Sequence, residues 1–237
     1  MAMDAVEFAS LLCSRLCHDL LSPVGALNNG VELLADENDP MMRDQVIGLL
    51  GESARTTAEK LKFFRLAFGA AGGFGDQVDT NEAKNAIAGI LGVNGRVQLG
   101  WLVTEHSLPK PAIKVLLNLA LIAADALVRG GQLDVGAEVS GDRTDIVIRA
   151  EGPRLILDLE LRAALTGQVD DEGVREDMAT LLADDIGADR VKVELGVGAG
   201  PKREEGRAFA RLIVRAAPLI SRGRIVLPGD IPSPAKP

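Results

Sequence analysis

The sequence predicts an α+β protein in two parts: an N-terminal antiparallel helical hairpin that forms a dimeric four-helix bundle, followed by an α/β sandwich. Three observations carry this prediction. Apolar residues recur at helical steps as far as Phe68, a glycine-rich joint follows from Ala70 to Asp76, and from Asn81 the pattern alternates between helical and strand-like runs. With 47% hydrophobic and 25% charged residues, 237 residues suffice for one large soluble domain or two modest ones, and the joint favours two.

Composition excludes several classes of function. The net charge is -8 and the Lys and Arg residues are scattered with few aromatics among them, which argues against a nucleic-acid surface. The first seven residues carry Asp4 and Glu7 and no basic residue, the wrong start for a secretory signal. The most apolar run, Val115 to Val128, is interrupted by Asn118 and Asp125 and is too short to span a bilayer. A cytoplasmic protein without membrane contact is expected. In that reducing setting Cys13 and Cys17 are read as small hydrophobes, partly buried beside the apolar stripe of the first helix.

The first helix is marked by Phe8, Leu12, Leu16, Leu20, Leu27, Val31 and Leu34, whose steps are multiples of three or four. Pro23 removes one backbone donor from it, which predicts a kink and not a break. The run Asp36-Glu37-Asn38-Asp39-Pro40 ends it. A second helix keeps the period through Met42, Val46, Leu49, Leu50, Ser53, Thr57, Leu61, Phe64 and Phe68, and the short connection makes the pair an antiparallel hairpin. Two helices cannot enclose their own apolar faces. Two hairpins about a two-fold axis can, so a homodimer is expected.

In the second part, helices are expected at Glu82 to Leu91 and Pro111 to Val128, with a strand at Arg96 to Val103 between them. Strands Leu133 to Val139 and Thr144 to Ala150 form a hairpin around Ser140-Gly141-Asp142. Helices at Ile156 to Leu165 and Val174 to Ile186 precede strands at Arg190 to Leu195 and Arg207 to Val214. Helices on one side of a mixed, largely antiparallel sheet make the sandwich. The expected divisions are a hairpin at 1–70, a linker at 71–79, the sandwich at 80–222 and a proline-rich, disordered tail at 223–237. Gly196 to Pro201 reads as a hairpin loop, because no helix and no Gly-Lys-Ser/Thr follows it. His106 reads as a loop residue and Trp101 as core.

The chemistry centres on Ser14-Arg15-Leu16-Cys17-His18-Asp19-Leu20-Leu21-Ser22-Pro23. His18 lies off the apolar stripe, among Ser14, Arg15, Leu21, Ser22 and Gly25 on the helix surface. With no second histidine or cysteine suitably placed as a co-ligand, it reads as a nucleophile and not a metal ligand. One ring nitrogen is free to attack, while the other donates to Asp19, which holds the tautomer and stabilises developing imidazolium character.

His18-Asp19-Leu20-Leu21-Ser22-Pro23 resembles the H-box of sensor histidine kinases, and the elements that follow resemble their ATP-binding domain, the Bergerat or GHKL fold. Its nucleotide boxes are altered. In Val115-Leu116-Leu117-Asn118-Leu119-Ala120-Leu121-Ile122-Ala123, Ile122 stands where the resemblance implies a magnesium-binding Asn. In Ala150-Glu151-Gly152-Pro153-Arg154, Ala150 stands for the adenine-binding Asp and Arg154 for a glycine. Asp170-Asp171-Glu172-Gly173 puts acids where backbone amides should cradle phosphate.

Over nearly the whole chain this combination resembles the ChpT-type histidine phosphotransferases of alphaproteobacteria. The resemblance implies a phosphorelay protein, expected to bind no ATP and no metal of its own. His18 would take a phosphoryl group from the receiver domain of a hybrid histidine kinase and pass it to the receiver domains of response regulators, with magnesium held by the receiver. Expected docking residues are Ser14, Arg15, Leu21, Ser22 and Gly25 around His18, joined by Arg55, Glu59 and Lys62 of the second helix. Two other readings stay open on sequence alone: an ATP-dependent histidine kinase with diverged boxes, and a non-catalytic scaffold that binds receivers.

Overall fold

Two long helices open the chain: α1 (Ala5–Asp36) and α2 (Pro40–Phe68). The computed structural model describes residues 5–69, 76–140, 143–157, 191–199 and 210–218. The reversal between the helices is fixed locally. Asp39 is the N-cap of α2, its side chain accepting from the Met41 amide at 2.9 Å, and Pro40 supplies a ready-set φ at the first helical position. Arg43 reaches back to the end of α1, donating to the carbonyls of Leu34 and Glu37 at 2.9 and 2.7 Å. Those carbonyls would otherwise lack an intrahelical donor.

The sandwich follows as β1 (Gln77–Asp79), α3 (Thr80–Asn94), β2 (Val97–Trp101), β3 (Ser107–Pro109), α4 (Lys110–Ala126), β4 (Gly131–Ser140), β5 (Arg143–Gly152), β6 (Val191–Ala199) and β7 (Ala210–Pro218). Five strands pair in the order β2-β4-β5-β7-β6, parallel between β2 and β4 and antiparallel elsewhere. β1 and β3 form a separate antiparallel pair. Asp79 caps α3, and Gly95 ends it at φ 59, a left-handed conformation that glycine adopts without a Cβ clash.

One face of the sheet is covered. Alternate residues Leu133 and Val135 of β4 and Ile146, Ile148 and Ala150 of β5 are fully buried, as period-two patterning requires. α4, apolar on almost every side, is part of the same core, which accounts for the burial of Ile113, Leu116, Leu117 and Leu119. The core does not stop at the sandwich: Phe63, Phe64, Leu66 and Ala67 from the end of α2 belong to it, and Leu16 and Leu20 of α1 pack against it.

Several sequence expectations are corrected. Gly196–Ala199 continue β6, paired with Ile213 to Ala210 of β7, where the cross-strand ladder overrides the weak strand preference of glycine. Cys13 and Cys17 are exposed in the single chain, each one residue, or about 100° of helical rotation, beyond Leu12 and Leu16 of the stripe. Ile156 and Leu157 are irregular and not the start of a helix. The rest of that predicted helix, the helix at 174–186, the acidic box at 170–173 and the tail lie outside the described residues, as do 70–75 of the joint. The short strands β1 and β3 were not expected.

Candidate functional site

Helical rotation decides what α1 offers to solvent. Leu12, Leu16 and Leu20 are half-buried, and His18 stands away from them with its side chain 81% exposed. Asp19, one step on, turns inward and is only 16% exposed. Its Oδ1 lies 3.5 Å from His18 Nδ1, near enough to stabilise positive character that develops on the ring and too long for a strong hydrogen bond. Its Oδ2 accepts from Arg15 Nε at 3.0 Å, one helical turn back. One carboxylate oxygen is thus anchored while the other faces the imidazole, leaving Nε2 as the outward nitrogen.

The backbone under this pair has its own support. Pro23 has no N–H, so the Asp19 carbonyl, four residues earlier, loses its helical donor. Lys60 of α2 takes that role, its Nζ donating to the Asp19 carbonyl at 2.8 Å. From a third element, Asp125 in the last turn of α4 places Oδ2 3.4 Å from Arg15 Nη2. α1, α2 and α4 therefore meet around the Arg15–Asp19 pair, α2 at the Asp19 carbonyl and α4 at the Arg15 guanidinium.

The expected docking residues divide. Ser14, Leu21 and Ser22 are exposed near His18, and Gly25 has open space where a Cβ would stand. Arg15 is turned inward onto two carboxylates. On α2, Arg55 is exposed, Lys62 pairs with Glu59 at 2.7 Å, and the Glu59 carboxylate packs over Gly89 of α3. Sequence reasoning missed Lys60 and Asp125. The first had a signal, since Pro23 orphans a known carbonyl. The second had a fainter one: an acid in the last turn of a helix opposes the helix dipole.

Two positions that the resemblance sets against a nucleotide carry no polar side chain. Ile122 is buried hydrocarbon, and Ala150, fully buried, has no acceptor for an amino group. Asn118 is buried, its amide donating to the Lys114 carbonyl of its own helix while Oδ1 has no partner among the described residues. The described residues contain no group of three or more His, Cys, Asp or Glu able to hold a metal ion, and no described helix is long and apolar enough to cross a membrane.

An exposed histidine backed by an acid, on a helical hairpin that packs onto an α/β sandwich, is the arrangement of a histidine phosphotransfer protein. Comparison with known proteins agrees. Residues 80–188 match the family model of the histidine phosphotransferase C-terminal domain. The protein phosphotransferase ChpT of Brucella abortus (strain 2308) is 38% identical over 190 residues, spanning 78% of this chain and 89% of that protein. The solved structure of a bacterial phosphotransferase superposes with a TM-score of 0.73 at 30% identity, over 91% of this chain and 98% of that one. The chain belongs to the ChpT-type histidine phosphotransferases, proteins of two-component phosphorelay signalling.

Proposed function

We propose that His18 is the phospho-acceptor of a His-Asp relay, taking a phosphoryl group from the receiver of a hybrid histidine kinase and delivering it to response-regulator receivers. The observation that carries this is the pairing of an exposed imidazole with an inward carboxylate that is itself anchored. His18 Nε2 attacks in line, the N–P bond forming as the acyl-phosphate O–P bond of the receiver aspartate breaks, and the receiver leaves with its carboxylate restored. The Nδ1 proton stays on the ring, and Asp19 stabilises the positive character that develops there. Transfer onward runs the same step in reverse. Magnesium is the receiver's, where it neutralises charge on the moving group. This chain uses no ATP and holds no metal, consistent with Ile122 and Ala150 at the places a nucleotide would need polar groups.

Ser14, Leu21, Ser22 and Gly25 form the surface a receiver meets around His18, with Arg55 and Lys62 from α2, while Arg15 and Glu59 serve it from beneath. The working unit is a cytoplasmic homodimer. Cys13, Cys17, Leu20, Val24, Leu27, Val31 and Leu34 step by four and three along α1, a bundle seam. Yet Val24 and Val31 are 47% and 61% exposed in the single chain, so a second hairpin is needed to cover them.

The test is transfer to the purified chain from labelled ATP alone and from a receiver phosphorylated beforehand. Acid-labile, base-stable label reaching His18 only from the receiver, and lost in His18→Ala, is expected. Label from ATP alone would make the chain a kinase; label from neither source would leave a scaffold.

A further inference from the structure

The proposed reaction uses only the hairpin, yet the sandwich reaches the phosphotransfer centre. Asp125 lies in the last turn of α4, where its negative charge meets the carbonyl end of the helix dipole and no basic residue of that turn offsets it. Local helix energetics therefore do not explain an acid there. What it faces is Arg15, 110 residues away in sequence, at 3.4 Å from Nη2, and the same guanidinium holds Asp19 Oδ2 at 3.0 Å through Nε. Arg15 is 17% exposed and Asp125 62% exposed, so the arginine is the enclosed member and Asp125 fixes its outer end.

We infer that Asp125 is a positioning residue for phosphotransfer: through Arg15 it sets the orientation and charge of the Asp19 carboxylate beside His18, making the sandwich a contributor to the reacting site. Two anions share one cation in this arrangement. Arg15 divides its hydrogen-bond donors between them, which leaves Asp19 Oδ1 aimed at the imidazole. Without Asp125 the guanidinium loses this hold on its outer end and turns further onto Asp19, toward the bidentate geometry that Arg prefers, which draws carboxylate charge away from His18. The inference rests on His18 being the acceptor.

The test is single-turnover transfer from phosphorylated receiver to the full-length chain, measured across receiver concentrations for the unaltered protein, Asp125→Asn, Asp125→Glu, Arg15→Gln and the Arg15→Gln/Asp125→Asn double variant. The expected result for Asp125→Asn is a maximal rate lower by about two- to fivefold, the size an exposed ion pair supports. The receiver concentration at half-saturation and the melting temperature should stay unchanged, and Asp125→Glu should restore the rate. In the Arg15→Gln background, Asp125→Asn should add nothing, because its effect passes through the arginine. A raised half-saturation with an unchanged maximal rate would make Asp125 a docking residue and overturn the inference. So would an additive double variant, an unchanged rate, or a rate that falls only in step with stability. No label on the unaltered chain would overturn the His18 reading and this one together; label on it with an indifferent Asp125→Asn overturns this one alone.

Discussion

Lys60→Met removes the ammonium that serves the Asp19 carbonyl while keeping most of the hydrocarbon stem. A hydrogen bond from a charged donor contributes about 1.5–3 kcal/mol when enclosed, but this one is only part-buried and water replaces some of it. A cost of about 1 kcal/mol follows, or about 2–4 °C in melting temperature for a chain of this size. The cause can be separated from general damage because the need for Lys60 comes from Pro23. In a Pro23→Ala background the new backbone N–H bonds the Asp19 carbonyl within the helix, so Lys60→Met should then cost only a few tenths of a kcal/mol. Any cavity left by the buried proline is common to both arms and cancels. Thermal or urea melts of the four proteins at one fixed protein concentration measure the coupling. Equal costs of Lys60→Met in the two backgrounds, to within about 0.3 kcal/mol, would refute the idea that the lysine compensates for the proline.

Asp19→Asn keeps the size and the Arg15 contact but removes the charge beside His18, so the maximal transfer rate should fall by about a hundredfold, with receiver binding little changed, in the same single-turnover assay. Val31→Glu places a charge on the exposed seam of α1; sedimentation at micromolar concentration should show the dimer replaced by monomer, and a persistent dimer would put its interface elsewhere. Phe63→Ala empties a fully buried site in the core shared by hairpin and sandwich and should cost about 3–5 kcal/mol by denaturant titration.

What could be read in the sequence was local. The His18-Asp19 pair, the two helices, the Asp36 to Pro40 stop between them and the β4-β5 hairpin are set by periods and turn signals a few residues long. β1 and β3 were not legible because three residues do not establish a period, and Pro109 argues against a strand. It is tolerated in this small pair at the strand's last position. Lys60 was half legible: Pro23 names the carbonyl in need, while the donor depends on how high α2 stands against α1. Asp125 was not legible as a neighbour of Arg15, since only the packing of α4 against the hairpin joins residues 110 apart.

That packing also decides which experiments on the sandwich can be interpreted. The simplest is to truncate after Gly75 and ask whether the hairpin alone still accepts phosphate. Phe63, Phe64, Leu66 and Ala67, however, are buried in a core whose other members come from α3, α4 and the sheet. Uncovering three large apolar side chains at about 1.5–3 kcal/mol each removes stability on the order of 5 kcal/mol or more. That is comparable to the whole stability of a small domain. The truncated hairpin should therefore lose the last turns of α2, and with them the Lys60 contact to Asp19, as a drop in helical circular dichroism and a broadened melt. Slow transfer by such a fragment would report a damaged site and not a missing receiver contact. A fragment that melts cooperatively with full helicity would refute this and make α2 self-sufficient. If the fragment is damaged as expected, the contribution of the sandwich has to be measured by point changes in the full-length chain, at Asp125 first, where the two parts touch through charge and the shared core is left intact.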